Sequence, residues 1–215
     1  LYTERDPEKP TFSFNVTYQG HGPYPSTELE GDGNYFDQGP YSDTTYFILN
    51  NYLKSVYGTT QNLVWLTDQL REDEAPCVLV FFGDHNPWLG VGGWVYQQLG
   101  ISFDGDEGFY NYYETPWVIW LNDAARAIAG DSYTPGYRGN FSPCFLTAEL
   151  FDQLGWEGPQ TVNAIRELRA YTDIVHITGT VRENGVLTAE PSAETASAVT
   201  TYKKLLYYLR EDAKY

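Results

Sequence analysis

The 215-residue sequence predicts an α/β fold: a mixed, mostly parallel sheet flanked by helices, with a small C-terminal β-hairpin and a terminal helix. Three observations carry this. Two short unbroken apolar runs, Val78–Phe82 and Trp117–Leu121, read as buried strands. Segments with apolar residues near the helical period lie before and after them. Near the C-terminus, Asn184-Gly185 marks a tight hairpin between β-branched segments.

Residues 1–10 are polar, carry Pro7 and Pro10, and read as a linker. Over residues 11–18, Phe12, Phe14, Val16 and Tyr18 alternate with polar neighbours, the pattern of a half-buried strand. Gly20-His21-Gly22-Pro23-Tyr24 ends that strand and opens a loop rich in Gly, Asp and Tyr that reaches Tyr41. Ser42 or Asp43 then caps a helix running to about Leu70, with Gly58 as a point of interruption. Residues 88–98 read as a helix weakened by Gly90, Gly92 and Gly93. A loop with Asp104, Asp106 and Glu107 leads to Tyr112-Tyr113-Glu114-Thr115-Pro116 and the second apolar run. Residues 146–154 form a short helix ending at Gly155, and residues 162–170 another. Residues 174–180 and Val186–Thr188 are the strands expected around the hairpin turn. Residues 194–210 carry the helical stripe Val199, Tyr202, Leu206 and Leu209.

Composition excludes several function classes. A formal charge of −16, from 29 acidic against 13 basic residues, repels phosphate backbones, so no nucleic-acid partner is expected. An anionic substrate would need a metal ion or local cation to reverse the field. Cys77 and Cys144 form neither a disulfide framework nor a zinc spacing and read as unbridged thiols. No stretch is long and apolar enough to span a membrane, and no signal peptide opens the chain. The start at Leu1, without an initiator methionine, suggests a segment of something longer.

The most informative stretch is Val78-Leu79-Val80-Phe81-Phe82-Gly83-Asp84-His85. A buried strand stops at a glycine followed by an acid and an imidazole, and ligands in open α/β sheets bind beyond the carboxyl ends of strands. A carboxylate beside a neutral histidine suits a divalent metal. The alternative is that Asp84 caps the next helix and His85 satisfies a loop carbonyl. Trp88, a few residues on, is a candidate for lining the same pocket. His176, among Ile174, Val175 and Ile177, reads as structural. Trp117 and Trp120 read as core, and the acids at 104–107 as a solvated loop.

Several motifs then fall in a telling order. His21 stands in Gly-His-Gly-Pro-Tyr after a strand, and Tyr52-Leu53-Lys54-Ser55-Val56 lies on a helix. Gly83-Asp84-His85 follows a strand, Glu114-Thr115-Pro116 opens another, and Phe141-Ser142-Pro143 leads into a helix ending Leu154-Gly155. This order resembles the C-terminal half of the sulfatase-like catalytic domain of lipoteichoic acid synthases. Those are membrane-anchored phosphoglycerol transferases of Gram-positive bacteria, within the alkaline phosphatase superfamily.

The resemblance implies that residues 11–215 are the C-terminal portion of such a domain, a partial alkaline phosphatase-like fold without its N-terminal portion. It makes Asp84 and His85 ligands of a catalytic divalent metal, Mn²⁺ first, with Mg²⁺, Zn²⁺ or Ca²⁺ as alternatives. It makes His21 the catalytic histidine that contacts the phosphoglycerol group or protonates the leaving alkoxide, the alternative being a loop histidine that only orders its own glycine-rich turn. The family's nucleophilic threonine, a further acidic ligand and the residues that grip substrate belong to the N-terminal half, so this segment alone is expected to be inactive. The implied partners are a glycerophospholipid or other anionic ester, the missing N-terminal half, and the membrane through the parent only. A homodimer of the segment would cover an exposed sheet. The implied location is the extracellular face of the cell membrane of a Gram-positive bacterium. Two alternatives remain open: a sulfatase, phosphodiesterase or phosphoethanolamine transferase of the same fold, and a non-catalytic extracellular glycan-binding module using the 19 tyrosines.

Overall fold

The computed structural model describes residue 6 and residues 8–212, so residues 1–5 and 7 of the expected linker lie outside the described residues. The chain forms two compact units. The first comprises Leu1–Trp65 and Pro87–Ile101, the second Leu66–Asn86 and Ser102–Tyr215. Among the described residues no helix is long and apolar enough to cross a membrane.

Helix α1 (Asp43–Arg71) dominates the first unit and ends in the second. Ser42 starts it: its carbonyl accepts from the Tyr46 N–H at 2.9 Å and its Oγ from the Thr45 N–H at 3.3 Å. Gly58 leaves the helix unbroken. The preceding Gly/Asp/Tyr-rich loop is fastened to α1 by two buried amides. Asn50 Oδ1 accepts from the Tyr35 and Phe36 N–H groups, and Asn51 Nδ2 donates to the Pro25 and Glu28 carbonyls. A core of Ile48, Leu49, Leu89 and Val95 closes beneath, with Tyr52 and Trp94 against it.

Two expectations for this unit are corrected. Residues 11–18 form no strand; Phe12 is 89% exposed, and no strand among the described residues pairs with the segment. Alternation alone cannot make a strand without a ladder to join. The helix expected at 88–98 is a 3₁₀ turn, Val91–Gly93, and a short helix α2 (Trp94–Gln98). Gly90, Gly92 and Gly93 all have positive φ, which ends helical geometry and leaves Trp88 in a loop.

The second unit is mixed α/β with small antiparallel sheets. Strands β1 (Val78–Phe82) and β2 (Trp117–Leu121) pair antiparallel, Val78 opposite Leu121 and Phe82 opposite Trp117. The mostly parallel pairing expected from sequence is therefore corrected: an apolar run specifies burial and leaves direction open. Direction is set here by the return path, since the chain comes back to the end of β1 that it left. On the way back, helix α3 (Gly105–Tyr113) replaces the expected acidic loop. Asp106 and Glu107 sit in its first turn, where the helix dipole favours negative charge.

After β2, Asn122 caps α4 (Asp123–Ala129) and organises the approach to β1. Its Oδ1 accepts from the Ala125 and Cys77 N–H groups, and its Nδ2 donates to the carbonyls of Leu70, Asp73 and Ala75. Helices α5 (Leu146–Gln153), α6 (Gln160–Arg169) and α7 (Ala193–Asp212) follow the periodicity. The hairpin is β3 (Val181–Glu183) and β4 (Val186–Thr188), turning at Asn184 (φ 51°) and Gly185 (φ 81°). Its first strand lies later than expected, because residues 174–180 bend and contribute a single bridge, Val175 to Val181. Phe145, Leu168, Val181, Val199 and Tyr202 form the core between hairpin and helices.

Candidate functional site

The antiparallel pairing decides what stands at the carboxyl end of β1. There the Gly83 N–H donates to the Pro116 carbonyl at 3.0 Å, and Thr115 Oγ1 donates to the Gly83 carbonyl at 2.8 Å. Asp84 and Glu114 therefore meet at one edge, although β2 begins many residues later.

Asp84 and His85 form a preorganised pair. The His85 N–H donates to Asp84 Oδ1 at 2.9 Å, and Asp84 Oδ2 lies 3.7 Å from His85 Nε2. His85 Nδ1 lies 2.8 Å from the Asn86 carbonyl, which only accepts, so the neutral ring carries its proton on Nδ1 and a lone pair on Nε2. A lone pair opposite a carboxylate oxygen is an arrangement that a shared cation relieves. Two ligands about 2.1 Å from a tetrahedral metal stand about 3.4 Å apart, close to the observed separation. The side chains are 80% and 59% exposed, so solvent reaches both. The pair fits a divalent ion as an O,N donor set, and the Asn86 carbonyl orients its imidazole. Among the described residues no group of three or more His, Cys, Asp or Glu gathers to hold a metal.

His21 and Trp88 belong to the first unit, Asp84 and His85 to the second. His21 stacks on Tyr18 (5.0 Å between centroids, 15° between planes), and its Nδ1 lies 2.7 Å from the Gly22 carbonyl. The segment of Trp88 approaches the same loop: a Cβ on Gly22 would stand 3.6 Å from the Trp88 carbonyl oxygen. Trp88 itself is 54% exposed.

Asp84 also lines a cleft of about 280 Å³ within the second unit. Rings from Phe82, Phe109, Tyr113, Trp117 and Phe141 line it, together with His176. Sequence reasoning passed over His176 as structural and gave Glu114 no role, yet both face this cleft. His176 packs on Tyr113 (4.1 Å) and Phe109 (5.2 Å), and its Nδ1 accepts from the Thr178 N–H at 3.3 Å. Behind the cleft, Arg182 grips both Asp173 oxygens and donates to Tyr110 Oη and the Asn140 carbonyl. Hydrogen bonding to Asp173 raises the Arg182 pKa further, fixing its charge. The local signal for Arg182 is its place two residues before the Asn184-Gly185 turn, which is too common to single out.

The family model described as Sulfatase matches residues 1–156. The chain belongs to the sulfatase family. Asp84, His85 and Glu114 of this sulfatase-family chain lie inside the matched region, whereas His176 and Arg182 lie beyond it. Domains of the sulfatase family generally use a divalent metal, in keeping with the donor types of Asp84 and His85. A Rhizobium meliloti (strain 1021) protein, provisionally named a cyclic β-1,2-glucan modification protein, is 27% identical over 187 residues. The alignment covers 83% of this chain and 27% of that protein, so the chain spans about a quarter of the length of its curated relative. No solved structure matches.

Proposed function

We propose that this sulfatase-family chain is the C-terminal part of a metal-dependent phosphoglycerol transferase, which moves phosphoglycerol from a glycerophospholipid headgroup to an acceptor hydroxyl. The observation that supports this most is the Asp84–His85 pair, with an imidazole lone pair set 3.7 Å from a carboxylate oxygen. A divalent ion there, Mn²⁺ first, would neutralise charge on the phosphoryl oxygens. Asp84 supplies the anionic ligand and is steadied by the His85 N–H. His85 is kept in one tautomer by the Asn86 carbonyl. His21, whose Nδ1 faces the Gly22 carbonyl, would use Nε2 to accept from a glycerol hydroxyl or, once protonated, to donate to the leaving oxygen.

The nucleophile and remaining ligands would come from the rest of a parent polypeptide acting on the outer face of a cell membrane. The glucan in the name of the Rhizobium meliloti protein suits the acceptor, since a glucan offers many hydroxyls and no competing anion.

The test is Mn²⁺-dependent turnover of phosphatidylglycerol vesicles by the parent polypeptide, by its Asp84→Ala and His85→Ala variants, and by the 215-residue chain. The expected result is turnover by the parent, reduced at least about a hundredfold in each variant and absent from the chain alone. Full activity in both variants, or an inactive parent, would overturn the proposal.

A further inference from the structure

The aromatic cleft of the second unit has a composition that the chemistry at Asp84–His85 does not require. We propose that it binds one neutral hexopyranose ring. Calling that ring the acceptor rests on the transferase reading above; that the cleft holds a sugar does not.

Charge argues first. Among the described residues no lysine or arginine lines the cleft, while Asp84 and Glu114 do, so an anion would meet repulsion there in the metal-free chain. Two cations that touch lining residues are already committed. Arg182 is held by Asp173, Tyr110 and Asn140, and Arg169 lies 4.8 Å over the Phe141 ring with its Nη1 2.7 Å from Glu149. In the metal-free chain a phosphoryl group would find no unspent positive charge among the described lining residues, whereas a neutral polyol needs none.

Shape and polarity agree. A pyranose has a face of C–H bonds and a rim of hydroxyls. Tyr113 and Phe109 offer partly exposed rings to the first. Glu114 offers a carboxylate acceptor to the second, and His176 complements it. Thr178 engages His176 Nδ1, through Oγ1 at 2.7 Å and the N–H at 3.3 Å, so Nε2 is the ring nitrogen that would meet a sugar hydroxyl, as donor or acceptor according to the tautomer. Other polar groups nearby are engaged: Ser142 Oγ with the Val175 backbone and Thr115 Oγ1 with Gly83. The volume of about 280 Å³ falls just below the range of small-molecule sites, about 300–1,000 Å³, which suits one ring better than a polymer segment. Tyr110 and Asn140 are held in the lining by Arg182, a positioning residue from outside the region matched by the family model.

The experiment is ligand-observed saturation-transfer NMR on the metal-free chain with the β-1,2-linked disaccharide of glucose, and glycerol phosphate as competitor. Saturable binding is expected, weakened about three- to tenfold by Tyr113→Ala and by His176→Ala, as loss of one ring contact implies. Tyr207→Ala, on α7 and outside the lining, should leave it unchanged, and glycerol phosphate should not displace the sugar. Glu114→Gln, at an exposed position, carries the test should the ring variants unfold, and is expected to weaken binding at least about threefold. Absent binding, equal affinity in the folded variants, or displacement by glycerol phosphate would overturn the inference. Because no metal or turnover enters, sugar binding by a protein that fails the vesicle assay would sink the transferase reading alone. Turnover without sugar binding would sink this one alone.

Discussion

Thr115 Oγ1 hydrogen-bonds the Gly83 carbonyl at 2.8 Å, tying the turn before Asp84 to the residue after Glu114. Both acids at the cleft edge are held by this one contact and its backbone companion from Gly83 to Pro116.

Thr115→Val keeps the β-branched shape and removes the donor. It is expected to lower unfolding free energy by about 1 kcal/mol, read from the urea midpoint. The amide NMR signals of Asp84 and His85 should shift while those of α7 stay in place. Unmoved Asp84 and His85 signals would show that the turn is held by its backbone alone.

Asn122 is 1% exposed and serves five backbone groups. Asn122→Ala leaves buried donors and acceptors without partners and is expected to destabilise by about 3 kcal/mol or more. Asn122→Asp should rescue little, because a carboxylate cannot donate to the carbonyls of Leu70, Asp73 and Ala75. Urea unfolding of both variants checks this, and full rescue by Asp would refute the donor role.

Glu149 gives a pH dependence of known sign. Burial alone would raise its pKa from the ordinary 4.5, but hydrogen bonds from Arg169 and Gln153 and the charges of Arg169 and Arg138 outweigh that and lower it. A carboxylate depressed in the folded state contributes stability that is fully present above its unfolded pKa and lost as pH falls through the folded one. The urea midpoint should therefore drop as pH falls below about 4.5, and Glu149→Gln should flatten that drop. Parallel pH profiles for the two proteins would remove Glu149 from the account.

Burial pushes the Cys144 thiol up, against a smaller downward pull from the Tyr202 hydroxyl. Thiolate is the reactive form, so Cys144 should react with a disulfide reagent at pH 8 at least about tenfold more slowly than in urea-unfolded protein. Cys77→Ser isolates the signal, since both cysteines are unbridged. Equal rates in the folded and unfolded states would contradict the packing around Tyr202.

Much of this fold could be read from sequence because its signals are local. The apolar runs of β1 and β2, the Asn184-Gly185 turn and the stripes of α1 and α7 each lie within a few helical turns or one strand. The direction of β2 was not legible, because it depends on where the chain re-enters after residues 84–115. Helix α3 was hidden by Asp104, Asp106 and Glu107, which read as a solvated loop. Gly108 is required by contact: a Cβ there would stand 2.0 Å from the Phe103 carbonyl carbon. Asp84 and His85 stand out in the sequence because they adjoin directly after an apolar run. Glu114 and His176 reach the same cleft only through the strand pairing and the bend at residues 174–180, which no local pattern encodes.

The excursion between Gly83 and Pro116 is closed at its base, and residues 87–101 within it belong to the other unit. Lengthening a loop whose ends are already joined adds only a slowly growing entropy, about 0.6 kcal/mol per doubling. Insertions and deletions far along this excursion can therefore accumulate without disturbing the register of β1 and β2. Relatives would be free to exchange what the excursion carries while the acidic edge stays fixed, a division of labour between a constant mouth and a replaceable insert.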